Sequence, residues 1–299
     1  MSQKPSHGSG RRQRVDIAVL GMGQIGGSIA LAGRAAGLFG RIVGFGRHPE
    51  SLERARQLEL CDRTTTVAAE AVADADIVVL ATPLRAIPEI VDAIAPALRV
   101  GALVIDVGSV KGTAARDIEA RLPSTVAFVG CHPLAGTEQF GPEAARVDLF
   151  EGRKCVVCPT SRTQASAIDR VRGLWEAMGA KVLTMTPDLH DQVMAAVSHL
   201  PHVAAYALAA ALADLAPEIA QAAQALPTTS LRDTSRVAAS SPAMWRDILL
   251  ENRTALLPLI QVLTKRLQDL EQAIASGDDV TLTALLEAGR TARARLLPE

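Results

Sequence analysis

The sequence predicts an α/β protein in two unequal parts: a doubly wound, mostly parallel sheet over residues 15–186, then an all-α domain over 187–299. Three observations carry that prediction. Short β-branched runs alternate with helix-length stretches as far as residue 186. Strand character then stops at Pro187, and alanine and leucine take over. The first apolar run leads directly into a glycine cluster, GMGQIGGS, and a helical stretch, IALAGRAAG.

Bulk composition suits this architecture. At 299 residues the chain is long enough for two domains of ordinary size. Hydrophobic residues make up 48% and charged residues 21%, which supports a large core and argues against wholesale disorder. Aromatics are 3% and the net charge is -1, so neither a base-stacking surface nor a basic field for nucleic acid is expected.

In chain order, residues 1–14 (MSQKPSHGSGRRQR) are polar and basic without an apolar stretch, and read as a disordered tail rather than a signal peptide. The strand candidates are VDIAVL (15–20), RIVGFG (41–46), DIVVLA (76–81), ALVIDVG (102–108), VAFVG (126–130), KCVVC (154–158) and KVLTM (181–185). Their unbroken apolar character predicts strands covered on both faces, and the helices between them give the βαβ rhythm of a parallel sheet. Beyond Pro187 the helical stretches are 188–214, 216–226, 242–276 and 278–296, punctuated by Pro227, Pro242 and Ser276-Gly277-Asp278. They are too apolar to stand alone, which predicts burial in a bundle and a homodimer through this domain. The most apolar region, 193–215, is alanine-rich and interrupted by His199, Pro201 and His202, which argues against a membrane span. A cytoplasmic protein is expected.

The glycine cluster reads as a dinucleotide site because of its context, strand before and helix after. Gly21 permits a tight turn, Gly23 lets the backbone approach a pyrophosphate, and Gly26 lets helix and strand pack closely. Gln24 and Ile25 open the helix, whose N–H groups and dipole face the phosphates. These features make the sheet Rossmann-type. At the end of the second run stand Gly46, Arg47 and His48, with no acid before Glu50. An acid there would bond ribose hydroxyls, whereas an arginine suits a 2′-phosphate, so NADP is favoured over NAD; Arg47 as a solvated surface residue is the alternative.

Strand ends in such a sheet border the ligand crevice. Thr82-Pro83, the DVGSVK segment with Ser109 and Lys111, and Cys131-His132-Pro133 all end apolar runs. A hydroxyl and an amine there are plausible substrate contacts or plausible loop caps. His132 poses the main question: a catalytic base at a strand end, or a polar residue marking a turn. In the helical part, His199 and His202 stand three apart and share a helix face, and Pro201 should kink the helix between them. They read either as core histidines or as a pocket wall. A metal pair is disfavoured because no third ligand is near in sequence. Cys155 and Cys158 form a lone CxxC in a strand-like run, and four cysteines in this length make no disulfide framework, so buried thiols are expected and no metal.

Taken together, GMGQIGGS, DVGSVKG, GCHPLAGTE, HDQVMAAVSHLPH and RDTSRVAASSPAMW, in that order over about residues 15–255, resemble the prephenate/arogenate dehydrogenase family of tyrosine biosynthesis. The resemblance implies oxidation of a ring C4 hydroxyl of a cyclohexadienyl substrate by hydride transfer to a nicotinamide, with loss of the ring carboxylate as CO2. It implies that His132 takes the hydroxyl proton, that Ser109 hydrogen-bonds His132 and the substrate, and that Arg236 binds a substrate carboxylate. It further implies that His199 and His202 line the substrate pocket, and that Thr137, Glu138, His190, Asp191 and Trp245 build and gate it. Chemistry agrees with the assignment: alcohol oxidation calls for a base near neutrality, and a carboxylate suits arginine's fork. The chain departs from many relatives at Thr228-Thr229-Ser230, where glycines usually precede the arginine cluster. Two other readings stand beside this one: a β-hydroxyacid-type dehydrogenase, in which a lysine serves as base, and a nucleotide-sensing protein without turnover.

Overall fold

The computed structural model describes residues 14–136, 139–226 and 228–297. The reading of residues 1–13 as a tail, and those of Thr137 and Glu138 as site residues, lie outside the described residues.

Eight strands form one sheet: β1 (Val15–Leu20), β2 (Phe39–Phe45), β3 (Arg63–Thr65), β4 (Ile77–Leu80), β5 (Leu103–Asp106), β6 (Ala127–Pro133), β7 (Lys154–Cys158) and β8 (Lys181–Thr184). Their order is β3-β2-β1-β4-β5-β6-β7-β8. The strands β1 to β6 pair in parallel, β7 runs antiparallel to β6, and β8 is parallel to β7. The order reverses between β1 and β4, which opens a crevice at their carboxyl ends.

Both faces are covered, as the continuous apolar runs predict, except at the edge strand β8, whose residues are mostly exposed. In β1, Ile17 and Val19 enter one core with Ile29, Phe150 and Trp175, while Ala18 and Leu20 enter the other with Val78, Val91 and Ile118. This is the two-residue alternation of a strand buried twice over. The helices α1 (Gln24–Ala35) and α6 (Ala165–Ala177) supply the first layer. The helices α3 (Ala68–Val72), α4 (Ile87–Ile94) and α5 (Gly112–Arg121) supply the second, and α2 (Pro49–Gln57) follows β2.

The helical part begins at α7 (Pro187–Met194). Its start is set locally: the Thr186 hydroxyl accepts from the Leu189 N–H and Pro187 occupies the first turn. A π-helical turn, Ala195–His199, leads into α8 (Leu200–Ala213). The wide turn lies just ahead of Pro201, which has no N–H to donate, at the place where the sequence leads to the expectation of a kink. Next come α9 (Pro217–Ala225), α10 (Thr229–Ser235), a short 3-10 turn (Arg236–Ala239), α11 (Pro242–Glu251), α12 (Arg253–Ser276) and α13 (Asp279–Leu296). The stretch predicted as one helix over 242–276 is therefore two, divided at Asn252. A small apolar cluster, Val110 with Trp245 and Ile248, packs the β5–α5 connection against α11 and so ties the two parts together.

Candidate active site

On the nucleotide side, the glycines do three different jobs. Gly21 sits at φ +107°, and a Cβ there would lie 2.4 Å from the Ala81 carbonyl oxygen. A Cβ on Gly26 would meet the Gly21 carbonyl oxygen at 2.0 Å and Val19 Cγ1 at 2.9 Å, so helix and strand pack without a side chain between them. A Cβ on Gly23 would meet nothing within 4 Å. Gly23 is also the N-cap of α1, where no side chain caps the helix and the first turn carries no acid. Open space at an uncapped helix N-terminus fits a pyrophosphate. Next to this turn the buried Thr82 hydroxyl has no hydrogen-bond partner among the described residues, while Pro83 is exposed at the start of the following turn. Arg47 and His48 are exposed at the end of β2, where His48 is the N-cap of α2, and Arg47 makes no ion pair among the described residues.

His132 stands near the carboxyl end of β6, on the same sheet edge as Gly21, Thr82 and Ser109. Three strand spacings separate β1 from β6, about 14 Å, a span that a nicotinamide half extending from the glycine turn would share with a substrate beside His132. The loop after His132 returns to the glycine turn: a Cβ on Gly136 would lie 3.2 Å from Gln24 Oε1 and 3.9 Å from Ile25 Cδ1. His132 is 8% exposed. Burial, with His190, Lys111 and His199 nearby, holds its pKa well below the ordinary histidine value, so it is neutral at physiological pH.

Behind His132 is a buried polar chain. His132 Nδ1 lies 2.8 Å from His190 Nε2, and His190 Nδ1 lies 2.8 Å from Asp191 Oδ1. Asp191 also accepts the backbone N–H groups of Lys111 and Gly112 at 2.8 and 2.7 Å. Burial works against its charge, but the bonds from His190, Lys111 and Gly112 outweigh it and hold the carboxyl below its usual range. The Asn252 amide donates to the Asp191 carbonyl at 2.8 Å, so its nitrogen is the atom facing His199 Nδ1 at 2.9 Å. His199 therefore accepts at Nδ1 and carries its proton on Nε2.

Around Trp245 lies the second wall. Its indole stacks on His202 with ring centroids 3.4 Å apart, and His199 meets it edge-on at 5.9 Å. The buried indole N–H has no partner among the described residues. Burial lowers the His199 pKa to about 4. Burial also lowers that of His202, with the Arg236 charge acting in the same direction against a bond to the Ser198 carbonyl. Arg236, at the head of the 3-10 turn after α10, is exposed. Tyr206 donates to the Ser240 carbonyl at 2.7 Å and so fixes the end of that turn against α8.

Two expectations need correction. Lys111 is not available to a substrate: it is 1% exposed, its ammonium is ion-paired with Asp106, and its stem lies beneath Gly130. A buried charge is tolerable only when paired, and this pair locks the β5 end to the start of α5. Ser109, half-buried at the crevice edge, makes no hydrogen bond to His132; the Nδ1 position is taken by His190. The thiols of Cys155 and Cys158 are free, buried and, three apart in β7, point to opposite faces, so they cannot share a ligand. Missed in the sequence were Asn252 and the linkage of His190 to His132. The His-Asp pair behind a Thr-Pro helix start was visible, but nothing local showed which side chain it would meet.

Comparison with known proteins places these features. A model described as "Prephenate dehydrogenase, nucleotide-binding domain" matches residues 29–184, and "Prephenate dehydrogenase, dimerization domain" matches 186–288. Cyclohexadienyl dehydrogenase of Zymomonas mobilis is 37% identical over 94% of this chain and 95% of its own. Prephenate dehydrogenase of Bacillus subtilis is 34% identical over 81% of this chain and 65% of its own. Among solved structures, prephenate dehydrogenase from A. aeolicus, in complex with hydroxyphenyl propionate and NAD+, superposes with a TM-score of 0.87 at 35% identity, over 96% of this chain and 99% of that one. Synechocystis arogenate dehydrogenase gives 0.79 at 31% identity, over 94% and 100%.

Proposed function

The chain belongs to the prephenate dehydrogenase family, and from that membership we propose an NAD(P)-dependent dehydrogenase that oxidatively decarboxylates prephenate, arogenate or both. The observation that carries this reading is His132: a buried, neutral imidazole at a strand end, on the sheet edge that bears the glycine turn.

In this reading His132 accepts the proton of the C4 hydroxyl at Nε2, the nitrogen not engaged by His190. A nicotinamide held beside the glycine turn would supply the acceptor for the hydride of that carbon. Arg236 holds a substrate carboxylate, and its fork fixes the orientation of the ring. His202 and Trp245 form the flat wall against which the ring lies. His199, neutral and carrying its proton on Nε2, offers a donor rather than a charge. Ser109 stands at the crevice edge, free to bond the substrate hydroxyl. Departure of CO2 is driven by aromatisation, so the protein's task is positioning and proton removal.

Arg47, exposed at the end of β2 with no acid before Glu50, supports NADP over NAD. A homodimer through the helical part is supported by exposed apolar side chains such as Val197, Ile219, Leu257, Val262 and Ile274. The helical stretch Pro187–Ala213 is long and apolar enough to cross a membrane by length and composition. It also carries His190, Asp191 and His199 into the site, which supports packing within a cytoplasmic enzyme instead. The test is nicotinamide reduction with prephenate and with arogenate, each with NAD and with NADP. Reduction is expected with at least one substrate, faster with NADP. No reduction in all four combinations contradicts the reading.

A further inference from the structure

We propose that Asp191 and His190 form a proton relay behind His132, so that the charge generated on oxidation comes to rest on His190 beside Asp191. The proposal rests on the reading of His132 as the base. Its grounds are the unbroken chain of contacts, each 2.8 Å, from His132 Nδ1 through the His190 ring to Asp191 Oδ1. Every member is buried, and Asp191 is fixed by two backbone N–H groups and, through its carbonyl, by Asn252.

Hydrogen-bond directions follow from the end of the chain. An ionised Asp191 only accepts, so His190 Nδ1 donates to it. A neutral His190 then has a lone pair on Nε2, and His132 must donate to it from Nδ1. This leaves the lone pair of His132 on Nε2, the atom the oxidation requires. The opposite arrangement, with a proton on His190 Nε2, would put the His132 proton on Nε2 and disable the base.

The same chain answers a difficulty. Burial, Lys111 and two neighbouring histidines make a charged His132 unfavourable, so alone it would be a weak acceptor. The relay removes the charge from that ring. The substrate hydroxyl proton bonds to His132 Nε2 as its O–H bond breaks, and the Nδ1 proton of His132 passes to His190 Nε2. His190 is then an imidazolium whose Nδ1–H still bonds the Asp191 carboxylate. After product leaves, the proton on His190 Nε2 returns to His132 Nδ1 and the one on His132 Nε2 goes to water. No electrons move in the relay itself. His190 and Asp191 touch neither substrate nor cofactor and are positioning residues.

The test combines kinetics with nitrogen NMR of 15N-histidine-labelled protein. His190→Ala should lower kcat roughly 10²-fold or more, with KM values for substrate and cofactor within about threefold, a loss in the range found when a base is left in the wrong tautomer. His190→Gln, whose amide oxygen can accept from His132 Nδ1, should recover part of that loss. Wild-type enzyme without substrate should show His132 protonated on Nδ1, and Asp191→Asn should abolish that preference. A proton on Nε2 of His132 in the resting wild-type protein overturns the proposal, as does a folded His190→Ala variant with kcat within threefold of wild type. The NMR measurement needs neither turnover nor the variants, so it separates failure of the relay from failure of the proposed activity.

Discussion

At the level of single residues, the site is a set of unlike demands met by neighbouring positions. Gly23 and Gly26 are three apart and look equivalent in the motif, yet a Cβ would meet open space at one and backbone at the other. Gly26→Ala should therefore destabilise the fold by about 1–3 kcal/mol, because neither the Gly21 carbonyl nor β1 can retreat far. Gly23→Ala should leave the melting temperature unchanged or slightly raised. It should also raise the cofactor KM about tenfold, roughly 1.4 kcal/mol, by filling the space a pyrophosphate would use. Equal effects of the two on stability and on KM would contradict this division of roles. His132 was legible as a candidate base because a polar residue ending an apolar run is anomalous. Lys111 was misread because a lysine near a crevice looks like a ligand, and its partner Asp106, five residues earlier on the strand end, reads as strand in sequence.

Among elements, periodicity did most of the work and failed where a segment was short or its geometry non-local. All seven runs became strands, six of them because continuous β-branched residues fit few other environments than a sheet covered twice; the seventh, β8, is a mostly exposed edge strand. The strand β3 was missed: three residues, Arg63-Thr64-Thr65, on the edge next to β2 have no pattern to detect. The division between α11 and α12 was missed for a different reason. Asn252 caps both helices, but a single Asn inside a long helical pattern is a weak boundary signal, and its amide's bonds to Asp191 and His199 across the helical part leave no local mark. The π turn before Pro201 had a visible cause, the missing proline N–H, although the sequence indicated a kink rather than a widened turn. The relay between α7 and β6 joins residues 58 apart in sequence, and no local signal encodes that meeting.

For the whole molecule, the functional consequence is that a charge-poor histidine cluster is buried at the seam between the sheet and the helices. His132 and His199 both have folded pKa values below the ordinary 6.5, the latter about 4. Below pH 6.5 the unfolded chain therefore binds protons that the folded chain refuses. Their stabilising contribution is complete above 6.5 and is lost as the pH falls toward 4, on the order of 3 kcal/mol for His199. The melting temperature should fall steadily across that interval, and a constant value would show that the cluster is hydrated or charged in the folded state. The two parts of the molecule converge on one imidazole, His132, the base proposed for the oxidation. The direct test is steady-state kinetics of His132→Ala with the wild type's preferred substrate and cofactor. kcat should fall roughly 10²- to 10⁴-fold, with substrate and cofactor KM little changed. A folded variant that turns over at the wild-type rate under saturating conditions would contradict it.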